Sequence, residues 1–197
     1  SVAIYALLVY ATMTGLRLGR GAILGFLAVC AALIGLRWWL DRDQGARWRV
    51  PAPRAVWARV KRDPSPVVLA VVFALVLGVR IFVVRDLVAP MWGDGYHHTM
   101  IAQLLVDNGG LFDSWQPYAP LTTFTYHFGF HANVAAFHWL SGDDVIHSVI
   151  WIGQMLNALA CLGLYPLALR VSGGNRWAGV GAVLVAGLLS PMPMYYV

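Results

Sequence analysis

Asp94, His97 and His98 stand within four residues of one another, and His127 and His131 repeat a four-residue spacing further along the chain. Carboxylate oxygen and imidazole nitrogen are ligands for zinc-like cations, and both groups take up and release protons near the pH at which enzymes work. At 3.6 residues per helical turn, His127, His131 and His138 share one face, while Asp94, His97 and His98 fall within a single turn. The pattern predicts a site between two helices, with Asp94, His98, His127 and His131 as candidate ligands of a divalent cation. The competing reading is that interfacial histidines bond locally and bind nothing, and for His138 and His147 it is the preferred one. Asp94 carries a conflict of its own. As a helix N-cap it would stay ionised and suit a cation, whereas apolar surroundings would raise its pKa and suit a general base.

Positioning these groups is the task of Met91 to Gly142, a stretch with five of the six histidines and no lysine or arginine. Two helices are predicted in it. The first follows Asp94 as N-cap, runs through Val106 with Met100, Ile101, Leu104 and Leu105 at helical spacing, and stops at Asn108-Gly109-Gly110. The second covers about Thr125 to Leu140 and ends at Ser141-Gly142. Both are expected outside the bilayer, the first lying along its surface.

The flanks of this stretch are apolar. With 59% hydrophobic and 12% charged residues among 197, a mean hydropathy of +0.66 and nine acids that are all Asp, the chain reads as an all-α polytopic membrane protein. Residues 2–18 and 21–40 form an N-terminal hairpin of spans (domain 1–40), residues 41–65 a basic cytoplasmic loop, and residues 66–88, 145–169 and 177–197 three further spans within 66–197. That makes about five transmembrane helices plus two extracytoplasmic surface helices. Arg37 to Arg62 holds eight of the fourteen basic residues, which places that loop in the cytoplasm, the N-terminus with it, and residues 89–144 outside the cell membrane. Arg17 and Arg20 oppose this count but are outnumbered. So much of the net charge of +5 lies in one loop that no nucleic-acid partner is expected. Within the loop, Arg54 to Arg62 suits a short basic helix on anionic lipid, set against a merely solvated positive loop. A charge inside a span is costly, so Arg80 is either functional or snorkels to the interface, and snorkelling is preferred for Arg85. The chain opens on Ser1 and its last apolar run is still in progress at Val197, which predicts a piece of a longer protein.

The order of elements resembles the start of the GT-C superfamily of membrane glycosyltransferases. The residues carrying the likeness are Gly93-Asp94-Gly95-Tyr96-His97-His98, the run Thr125-Tyr-His-Phe-Gly-Phe-His-Ala132, and Leu169-Arg170 through Pro191, over roughly residues 66–197. Tyr126-His127 stands where relatives often have Tyr-Pro, and the loop has no DxD or ExD. The resemblance implies transfer of a sugar from a polyprenyl-phosphate-linked donor at the extracytoplasmic face, with Asp94 as base or cation ligand. It also implies substrate contacts from His97, His98, Tyr126 and Arg80, the last to phosphate. The implied partners are the bilayer and the lipid-linked sugar, with other membrane subunits under the alternative reading, a non-catalytic transmembrane subunit of a larger complex. A histidine-ligated metal, haem or chlorophyll protein ranks last.

Overall fold

The computed structural model describes residues 2–41, 52–122 and 127–189, all helix and connecting loop with no strand among them. The helices are α1 (Val2–Thr14), α2 (Arg20–Asp41), α3 (Pro53–Arg62), α4 (Ser65–Val84), α5 (Trp92–Asn108), α6 (Gly129–Ser141), α7 (Val145–Val171) and α8 (Arg176–Leu184), the last continued by a π-helical turn, Val185–Leu189. Three of them, α2, α4 and α7, with 22, 20 and 27 residues, are apolar and long enough to cross a bilayer, and they mark a membrane protein. At 1.5 Å per residue, the 13 residues of α1 fall short of the roughly 30 Å hydrocarbon core. The helix of α8 and its π turn is described as far as Leu189, and the rest of the expected span 177–197 lies outside the described residues.

The chain forms two compact units, one of residues 1–48 and 88–152, the other of 49–87 and 153–197. In the first, α6 packs against α1, α2 and α5. Its core joins Leu8 and Ile23 to Met100, Ile101, Leu104 and Leu105 of α5 and to Ala132, Ala135 and Trp139 of α6, with Phe112 and Phe128 from the intervening loop. The expected run of helix over 2–18 stops at Thr14, because Gly15 turns left-handed at φ +71° and the next residues serve α5 instead. Leu18 N donates to Gly109 O at 2.6 Å, and Arg17 donates to the carbonyls of Asp107 and Asn108, the latter from Nε at 3.2 Å. These carbonyls belong to the C-terminal turn of α5, which has no intrahelical donors left for them and carries partial negative charge. Gly109, at φ +63°, is the αL cap of α5, and a Cβ there would sit 2.8 Å from Leu18 O.

In the second unit, Val72 and Val76 of α4, Ala158 of α7, and Val180 and Val183 of α8 form the core. Helices cannot gain much from burying apolar groups when lipid is as apolar as they are, so close backbone approach matters more. Gly179 meets the Tyr165 ring, and Gly187 meets Val76; an added Cβ would fall 2.6 and 2.4 Å from them. The turn before α8 uses Gly173 and Gly174 at positive φ, and the Asn175 side chain accepts from Trp177 N and Ala178 N as its N-cap. Arg176 then pairs with Asp63, just ahead of α4, so α4 and α8 start at the same end.

Candidate functional site

The site is built on the first turns of α5. Extended backbone at Met91 (φ −80°, ψ 154°) starts the helix at Trp92, so Asp94 is the third helical residue and not the N-cap expected from sequence. An ionised carboxylate in a first turn interacts favourably with the helix dipole while its side chain remains free for other partners. Gly95 beside it is held against Pro90, whose Cβ would lie 2.7 Å from an added methyl. Asp94 is exposed, and with His97, His98 and Ile101 it repeats the i, i+3, i+4, i+7 spacing of one helix face. With Trp115 from the following loop, these residues line a cavity of about 220 Å³. That is below the roughly 300–1,000 Å³ of pockets that enclose a drug-sized ligand. A hydroxyl-bearing fragment fits such a space better than a whole lipid-linked molecule.

Behind the cavity wall, His98 Nδ1 and His131 Nε2 share a hydrogen bond at 2.9 Å, in which one ring donates its N–H and the other accepts. His131 comes from the first turn of α6 and is 1% exposed, with Phe128 and Phe130 packed edge-on to its ring. Burial pushes its pKa down from 6.5 to about 3, and the neighbouring His98 and His127 add to that shift. Burial also lowers the pKa of His98, opposed by the negative charge of Asp94 and reinforced by His97 and His127. Both imidazoles are therefore neutral at physiological pH, with one N–H each.

His127 precedes the helix expected to contain it, because α6 begins at Gly129; the predicted start at Thr125, and Tyr126 with it, lie outside the described residues. The shared helix face of His127, His131 and His138 is thus reduced to His131 and His138. His138 Nδ1 donates to Asp143 O at 2.7 Å, the local bond favoured for it from sequence. Arg80 belongs to the other unit. It does not snorkel: it is 2% exposed, on the same α4 stripe as Val72, Val76 and Val84, with Nη2 3.9 Å from Cys161 Sγ. Its Nε and Nη1 have no hydrogen-bond partner among the described residues. Arg85, expected to snorkel, is exposed, stacked 3.7 Å over Phe82 and paired with Asp86 at 3.0 Å.

A divalent cation finds suitable donor chemistry in Asp94, His98, His127 and His131 but no assembled shell. No three of them bring ligand atoms within 4.8 Å of one another, and the His98 and His131 nitrogens are engaged with each other. Among the described residues the one such group is Asp143, Asp144 and His147 at the head of α7, which sequence reading passed over. The signal was present in the Asp-Asp-x-x-His spacing, which puts His147 one turn beyond the aspartates. There Asp144 also caps α7, accepting from His147 N at 2.7 Å.

Compared with models of known protein families, with curated proteins and with solved structures, the chain matches none.

Proposed function

We propose that the chain is a membrane glycosyltransferase of the GT-C kind, or the N-terminal part of one, that transfers a sugar from a polyprenyl-phosphate-linked donor at the extracytoplasmic face. The observation that carries this reading is the setting of Asp94: an exposed carboxylate, free of any capping role, on the wall of a small cavity with two imidazoles beside it. In the proposed reaction an acceptor hydroxyl enters the cavity and donates to the Asp94 carboxylate. The hydroxyl oxygen attacks the anomeric carbon of the donor, its proton passes to Asp94, and the bond from that carbon to phosphate oxygen breaks with the electron pair leaving on phosphate. His98, held in orientation by His131, and His97 offer the acceptor further hydrogen bonds. No step is routed through a metal. Arg80, which the resemblance assigns to phosphate, lies in the other unit and is almost fully buried, and no step here is routed through it.

Replacing Asp94 by Asn tests this directly. Removal of a general base costs about 10²–10⁴-fold in rate, so D94N membranes supplied with a labelled polyprenyl-phosphate sugar should transfer it at a hundredth of the wild-type rate or less. The side chain is exposed and loses only its interaction with the helix dipole, so the thermal midpoint in detergent should fall only slightly. Undiminished transfer by D94N would end the assignment.

A further inference from the structure

Outside the candidate site, the clearest unassigned surface is α3 and the groove beside it. Pro53, Val56, Trp57 and Val60 follow the i, i+3, i+4, i+7 spacing of one helix face, Arg62 falls on the opposite side, and Arg54 and Lys61 flank the face, with Lys61 Nζ 5.8 Å over the Trp57 ring. None of the helix is buried, and among the described residues its apolar face is largely uncovered, with Val56 44% and Trp57 61% exposed and Val60 half-buried. Two residues, Asp63 and Pro64, join α3 to the span-length α4, so this helix is tethered where a bilayer-crossing segment begins. Between them lies a groove of about 380 Å³ with an apolar floor that includes Val60 and Val67 and a rim of Arg59, Arg62 and Arg176. Among the described residues the one acid lining it, Asp63, is already paired with Arg176, which leaves Arg59 and Arg62 without a carboxylate partner among them.

We propose that α3 and its groove form an interfacial anchor for anionic phospholipid, with Val56, Trp57 and Val60 in the acyl region and Arg59 and Arg62 on the headgroup phosphates. An apolar floor under a cationic rim is the complement of a phospholipid: the chain has somewhere dry to lie and the phosphate has two guanidinium forks to meet. Zwitterionic lipid satisfies only the first half. The anchor operates independently of any sugar transfer at Asp94.

The test uses the full chain with Cys30 and Cys161 replaced by Ala, carrying one nitroxide at Val60→Cys or at Ala58→Cys, in nanodiscs of phosphatidylcholine alone or with one-quarter phosphatidylglycerol. Each basic side chain near an anionic surface is worth roughly a five-fold preference, so collisions of the Val60 label with a water-soluble nickel chelate should fall about three-fold or more when phosphatidylglycerol is present. The Ala58 label, on the polar side, should change little. Combined R59E and R62E substitutions should abolish the drop at Val60. An equal collision rate at Val60 in both discs overturns the proposal, as does a drop that survives the charge reversal or appears equally at Ala58. A labelled variant that fails to elute as a folded species is replaced by a label at Val56→Cys, for which the same outcomes apply.

Discussion

His131 and Arg80 are the two largest polar side chains that the described structure buries almost completely, one in each compact unit, and they meet the cost of burial in opposite ways. An imidazole can give up its charge. His131 does so, and its neutral ring then takes a hydrogen bond with His98 at little electrostatic expense. A guanidinium has no neutral form within reach, so Arg80 keeps a full charge among valines with a thiol as its nearest partner. Burial in the first unit thus yields a settled pair behind a cavity. In the second it leaves a charge that favours any anion able to approach it.

Removing the uncompensated charge is the severest way to break the comparison. Buried charges without a partner cost about 3–5 kcal/mol, so Arg80→Met should raise the free energy of unfolding in mixed detergent by an amount of that order. A loss of stability would show that Arg80 is compensated after all. The imidazole side is sharpened by acid. Because the folded pKa of His131 lies below its unfolded value, the unfolded chain binds the extra proton, and stability is complete above about pH 6.5 and declines as pH falls towards 3. The slope attributable to one such proton is at most about 1.4 kcal/mol per pH unit. It should flatten in His131→Phe, followed by thermal melting across that range. Gly109→Ala forces an αL backbone and a contact with Leu18 O, and should lower stability by about 1–2 kcal/mol, with faster hydrogen exchange at the end of α5. Smallest is Arg17→Met, which leaves two carbonyls of α5 to water and should cost about 0.3–1 kcal/mol in the same unfolding assay.

Much of this was legible in the sequence, and what was not has definite causes. Helix positions followed from apolar runs and from glycine stops such as Gly109 and Gly142, because those signals are local. The gathering of Asp94, His97 and His98 on one wall followed from spacing alone. The role of Asp94 in the helix was misread because a capping residue type was available, while the backbone turned helical two residues earlier, at Trp92. His98 and His131, 33 residues apart, are expected from sequence at one site as cation ligands; that their rings bond to each other instead depends on how α5 packs on α6, which no periodicity encodes. The same holds for the early end of α1. Gly15 offers a local stop, but Leu16-Arg17-Leu18 could have resumed a helix, and what holds them out of one is their bonding to the carbonyls of α5.

That bonding has a consequence for how charge is counted along a membrane chain. A tally of arginines on either side of a bilayer measures preference for headgroups only where each guanidinium is free to reach them. Arg17 is bonded to the end of α5, so it has no vote in that tally. The turn that carries it and the C-terminus of α5 are bound to the same side by those bonds, whichever side the remaining arginines choose.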